Sequence, residues 1–290
     1  EGVKLKRITV TGFDAGVVVL DSEDVRVEDI RALDNEMVGI AVLAAGGITL
    51  HRNTAGSSSE AAFPPLAGIL VLLAGEVELR LNRTDRNFLG IGAALVYGAW
   101  VTSNTARDNC AGIAAVYSLG WVLEYNTVHD NRSACNVSLD GLLEMGSQIT
   151  GLSAEVMAAS AESRGFVEGA TATLAAVESV GTADDAIEFS GVGILLATVS
   201  GMDIVGNSAI GNRSNLFTTG TETVPSGGIV LVEVAGENSN LFFKGNFLRR
   251  NDVDINFDSG LPDDSKATQN RCKSNPQTSP SGYCNFNTLP

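Results

Sequence analysis

The chain has 290 residues, 44% hydrophobic and 18% charged, with a formal net charge of −15 at pH 7. That apolar content excludes a disordered chain, and no run of 18 apolar residues offers a membrane span. So acidic a surface lacks the basic field that nucleic-acid binding needs, and two histidines leave little for a histidine-based metal centre.

Self-similarity appears from the first residues onward. Gly16 opens a unit with Ile30 fourteen residues on and Asn35 five further, and Gly39 keeps the fourteen-residue offset at Asn53. Gly68, Gly90 and Gly112 follow at 22-residue intervals, with Asn82, Asn104 and Asn126 in step, and Asn87, Asn109 and Asn131 likewise. Register alone places a further unit at Thr171 to Val192, with Asp185 in the first-Asn column. Gly193 repeats both offsets at Asn207 and Asn212, and Gly228 opens a unit lengthened by 4 residues that retains Asn246 and Asn251.

The apolar residues obey the same register. Val17, Ile40, Ile69, Ile91, Ile113, Ile194 and Ile229 each follow the unit's glycine, and burial of period 2 continues from there. Stacked units pair each strand with its copy about 4.8 Å away. This predicts an all-β fold, a parallel β-helix of about ten coils over residues 1–258. Asparagine suits the corners because its amide bonds both local backbone and the asparagines above and below, and because it tolerates left-handed backbone.

Three insertions interrupt the register, near residues 57–65, 132–170 and 215–227, all at the same corner. The coils between them are bare, which makes either a groove or only a tolerant surface. Residues 139–170 hold either two degenerate coils or a short helix laid on the rod. Outward positions after each glycine are apolar too, as at Leu70, Leu72, Val116, Leu195 and Val230. A sheet apolar on both faces is covered on both, here by residues 139–170, by a second copy of the chain in a homo-oligomer, or by an apolar ligand. Sugar-cleaving grooves are polar as a rule, so this strip counts against a carbohydrate site there.

Residues 259–290 form a tail without repeats, bracketed by Cys272 and Cys284. Cys110 and Cys135 are one coil plus 3 residues apart, so both pairs can reach disulfide distance. Asn82, Asn131, Asn136 and Asn212 head Asn-x-Ser/Thr triplets, and only Asn136 is expected outside the columns.

Stacking also gathers chemistry. Three residues after the first Asn, successive coils present Asp85, Arg107 and His129, and the next column presents Arg86, Asp108 and Asp130. Read functionally, this is an acid/base cluster with His129 as proton carrier, Asp85, Asp108 and Asp130 as partners, and Arg107 and Arg86 holding an acidic sugar. Read structurally, it is a solvated charge ladder. Lys244, Arg249 and Arg250 form a second basic set for substrate binding. No cofactor is required, although Asp184, Asp185 and Glu188 offer oxygens for Ca²⁺.

The Gly-Ile starts and Asn pairs resemble the right-handed parallel β-helix superfamily of pectate-lyase-like and NosD-like proteins. The tail from Asn270 to Cys284 is similar to the end of secreted members. The stretch Asn126-Thr-Val-His-Asp-Asn131 resembles the His/Asp-bearing coils of alginate-modifying enzymes. The resemblance implies a secreted, extracellular enzyme that acts on a polysaccharide by lyase, hydrolase or epimerase chemistry. Its rivals are a non-catalytic rod that binds or assembles through the apolar sheet, and an enzyme for a small hydrophobic substrate. Such folds host many activities, so the repeat alone does not choose.

Overall fold

Alternating apolar residues make short strands, and each coil turns at fixed corners, so copies of one strand stack into ladders. The computed structural model describes residues 2–57, 65–132, 134–137, 139–168, 171–172, 175, 187–214, 226–233, 237–257, 260–273 and 283–284. Three parallel ladders result. The first runs from Ala15–Leu20 through Val38–Leu43, Leu89–Tyr97 and Ala111–Val116 to Ile255–Phe257. The second runs from Lys4–Lys6 through Trp100–Thr102 and Val122–Glu124 to Lys266–Thr268, and the long strand Ala67–Arg80 belongs to both. The third runs from Thr9–Thr11 through Arg83–Asp85, Thr105–Arg107 and Thr127–His129 to Arg271–Cys272, nine strands among the described residues.

The register is the one the repeat dictates: Ile69 pairs with Ile91, Ile91 with Ile113, and Ile113 with Ile194. These side chains fill the coil interior with no exposed surface. Each such burial stabilises by about 1.5–3 kcal/mol. Trp121 closes one rung from inside, its indole donating to the Val96 carbonyl at 3.0 Å.

Asparagine spines hold the corners. Asn104 Nδ2 donates to Asn126 Oδ1 at 3.0 Å and to the Leu79 carbonyl at 2.8 Å, and the Asn104 backbone N–H also reaches Asn126 Oδ1, at 2.9 Å. The same pattern carries the spine from Asn53 through Asn82, Asn104, Asn126, Asn207 and Asn246 to Asn270. A second spine links Asn87, Asn109, Asn131, Asn212 and Asn251. The left-handed residue is not the asparagine but the one before it: φ is +56° at Leu81, +56° at Ser103 and +53° at Tyr125. Each such non-glycine turn costs about 1–2 kcal/mol, offset by the buried asparagine bonds that follow it. Asn82, Asn131 and Asn212 are enclosed in the spines, while the side chain of Asn136 lies outside the described residues.

Two expectations change. Asn126 bonds directly to Asn207, and Ala111–Val116 pairs directly with Val192–Ala197. The chain therefore leaves the rod after Asn131 and returns at Ser190 to the same corner, and no coil lies between. The unit expected at Thr171 to Val192 is not interposed between these rungs, and Asp185 lies outside the described residues. Nine rungs stack among the described residues. At the other end the ladders run beyond residue 258, through Lys266–Thr268 and Arg271–Cys272. The Cys272–Cys284 disulfide, with Cα atoms 5.5 Å apart, closes that end. Cys110 is also disulfide-bonded, while the side chain of Cys135 lies outside the described residues.

The excursion is helical. Its neck pairs Ala134–Val137 antiparallel with Ile187–Ser190. Helix α1 (Leu139–Thr150) and helix α2 (Ala154–Ser163, capped by Ser153 on the Val156 N–H) lie on the outward face of the first ladder. Leu142, Leu143, Met157, Ala158 and Ala161 share a second buried core with Leu70, Leu72, Val116, Leu195 and Val230. Gly146 permits the close approach, since a Cβ there would sit 2.9 Å from Leu72 Cδ1. The strip is thus taken, and neither a second chain nor an apolar ligand can use it. Two in-register glycines, Gly46 and Gly75, seat Phe166 beyond α2, and any side chain at either would collide with it. Arg164 and Ser160 latch the end of the excursion onto Asp21 at 2.7 Å each.

Three outcomes follow from these contacts. Asn104→Ala orphans groups on both neighbouring rungs and should lower stability by about 1–3 kcal/mol, whereas Thr102→Ala should stay within about 0.5; equal denaturation midpoints would contradict the spine. Leu72→Lys buries a charge under α1 and should cost about 2–5 kcal/mol without changing the mass seen in sedimentation; a stable variant would show the helices are not seated there. The Ser160 hydroxyl and the Arg164 guanidinium hold the Asp21 carboxyl below its ordinary range. Its contribution is therefore full above the unfolded value of about 3.9 and is lost as pH falls through the lower folded value. Asp21→Asn should speed hydrogen exchange in α2 at pH 6 and remove that part of its acid dependence, and unchanged exchange would refute the latch.

Candidate functional site

Strand alternation puts the first and third residues of each third-ladder strand on the outer face. Asp85, Arg107 and His129 occupy consecutive rungs of one outer column, followed by Ile210 and Arg249. Asp85 is buried and accepts from Arg107 Nε at 2.8 Å and from Arg83 Nε at 2.7 Å. The bond to Asp85 raises the Arg107 guanidinium above its ordinary value. Arg107 also stands 3.8 Å from Asp108. His129 Nδ1 lies 3.0 Å from Asp130 Oδ2, and the other oxygen of Asp130 takes a 2.6 Å bond from Arg132. Partial burial pushes the Asp130 carboxyl upward, but His129 and Arg132 outweigh it and hold it below the ordinary carboxylate range. The His129 side chain is 28% exposed, and among the described residues its Nε2 makes no hydrogen bond.

Asp85, Arg107, Asp108, His129 and Asp130 are thus brought together at one corner. Arg86 turns away, its Nε donating to the Ser57 carbonyl at 2.9 Å. Lys244 is exposed on the second ladder, and Arg249 is separated from His129 by Ile210. Arg250 sits at a later corner, where its carbonyl accepts from Arg213 Nε at 2.7 Å. The second basic set does not join the cluster. Two arginines escaped the sequence reading: Arg83 and Arg132, each two residues from an aspartate it pairs with. Period-2 geometry was the available signal for Arg83, whereas Arg132 follows the left-handed corner at Asp130, where alternation does not hold.

Ser57, Arg132 and Ser214 follow this corner on their rungs, and the residues directly after each lie outside the described ones. Asp184 and Asp185 lie outside the described residues, as does the side chain of Glu188. A separate cleft of about 500 Å³ opens where the end of the excursion meets the turns between the first and second ladders. Glu23, Asp24, Glu76, Tyr97, Arg164 and Phe166 line it, and it shares no residue with the His129 corner.

No curated protein matches the chain. Among solved structures, the A-module of a mannuronan C-5 epimerase from Azotobacter vinelandii superposes with a TM-score of 0.59 at 12% identity, over 94% of this chain and 58% of that one. A periplasmic alginate epimerase mutant superposes with a TM-score of 0.54 at 15% identity, over 92% of this chain and 50% of that one. The chain therefore spans little more than half the length of these neighbours, and the likeness is one of fold. A family described as the right handed beta helix region matches residues 1–151. Over half of the chain carries that match, the ladders carry the geometry, and the protein belongs to the right-handed β-helix family.

Proposed function

We propose that this protein acts on a polysaccharide in an oxidising compartment, by proton transfer at the corner of Asp85, Arg107, His129 and Asp130. The His129–Asp130 pair carries the reading. An imidazole fixed through Nδ1 by a carboxylate offers Nε2 to a ligand, and the carboxylate stabilises the imidazolium that forms on proton uptake. Arg107, committed to Asp85, is a positioned donor along one edge rather than a free anion clamp. The activity named for the two solved neighbours, epimerisation of mannuronan or alginate, accords with this ligand class, and the disulfides accord with the compartment.

A binding role without turnover is favoured by one observation, that the cleft lies away from this corner. The two readings separate by experiment. With alginate and pectate as substrates and NMR of the sugar protons as readout, His129→Ala should cut turnover by about 10²–10⁴-fold with an unchanged melting temperature. Turnover retained within about threefold, far below that range, would remove His129 from the chemistry. Absence of turnover in the parent protein, with binding intact, would establish the non-catalytic reading.

A further inference from the structure

Two large aromatic side chains on the second ladder stand in water. Trp100 and Tyr125 are each 62% exposed. Trp100 is on the outer face of its strand, flanked in register by Glu78 and Val122. Tyr125 is at the corner one rung further on, in the left-handed conformation before Asn126. Its ring packs on bare backbone of the next rung: a Cβ on Gly206 would come within 2.7 and 2.8 Å of Tyr125 Cε1 and Cδ1. One side of the ring is therefore held against the rod while most of the residue stays open.

Three carboxylates lie around these rings. Glu78 neighbours Trp100, Glu124 precedes Tyr125 and pairs with Thr102, and Asp203 follows Val122 in the Trp100 column. Among the described residues none of these three carboxylates makes an ion pair or a side-chain hydrogen bond; in the adjoining column Arg80 stands next to Thr102 and Lys244 two rungs beyond Glu124. A pyranose ring has an apolar C–H face that suits an aromatic ring and a rim of hydroxyls that donate to carboxylates. A uronate or other polyanion would meet like charge here, at a cost.

We propose that Trp100 and Tyr125 form a stacking platform for neutral pyranose units of a glycan chain, separate from the His129 corner. The platform needs no catalysis at that corner, so failure of one assignment leaves the other testable. The chain has two tryptophans, and Trp121 is only 1% exposed, so acrylamide quenching reports on Trp100. The probes are soluble galactomannan and mixed-linkage β-glucan, with alginate as the acidic counterpart. At least one neutral polymer should shield the fluorescence until quenching falls toward that of Trp100→Phe, whose remaining indole is buried. In gels containing that polymer, Trp100→Ala with Tyr125→Ala should bind about tenfold more weakly, the scale of lost ring contacts, while His129→Ala binds like the parent. Should the double variant lose stability, Trp100→Phe carries the comparison, with an intermediate affinity expected. Quenching unchanged by both neutral polymers, equal shielding by alginate, or shielding that depends on protein concentration alone would each overturn the platform, the last because a second copy would be its occupant.

Discussion

The structure depends on the hydrogen bond between stacked asparagines. A coil of three short strands turns through left-handed residues that lack glycine's freedom, as at Leu81 and Ser103. Those corners are tenable because the next residue is an asparagine whose amide satisfies backbone on its own rung and on the rungs beside it. Removing water from these bonds raises the cost of an unmade one. The spacing that serves the spine also brings Ile over Ile in the core and Asp85 beside Arg107 on the surface. Site and fold are two consequences of one register.

The excursion solves a second constraint. Helices over the first ladder let its strands be apolar on both faces, the condition for a fully buried parallel sheet. Its attachment uses opposite chemistries: Phe166 on bare backbone at Gly46 and Gly75, and an ion pair from Arg164 to Asp21. The seam between them leaves the cleft lined by Glu23 and Tyr97. The face with apolar chemistry is thereby closed, while Trp100 on the second ladder and His129 on the third keep part of their surface in solvent.

Much of this was legible in the residues. The 22-residue spacing of Gly-Ile and Asn specified the ladders, and it put Asp85, Arg107 and His129 in one column. What escaped has physical reasons. Counting residues allowed two coils between Asn131 and Ser190, but length does not report pairing; the lack of Asn pairs at the repeat spacing in that stretch was the signal that no rung is interposed. The left-handed residue before each asparagine carries side chains as different as Leu81, Ser103 and Tyr125, so composition hides it. The rungs beyond residue 258 were marked by Asn270, 24 residues after Asn246. Trp100 and Tyr125 belong to no periodic set, because exposure rather than burial selects them.

The central claim, that asparagine spines hold the rungs in register, is tested most directly by residue-resolved amide hydrogen exchange. The backbone N–H groups of Asn82, Asn104, Asn126 and Asn207, each bonded to the side-chain oxygen of the next asparagine, should be among the slowest to exchange and should open only with global unfolding. Exchange of these four amides at rates near those of an unprotected peptide would contradict the account.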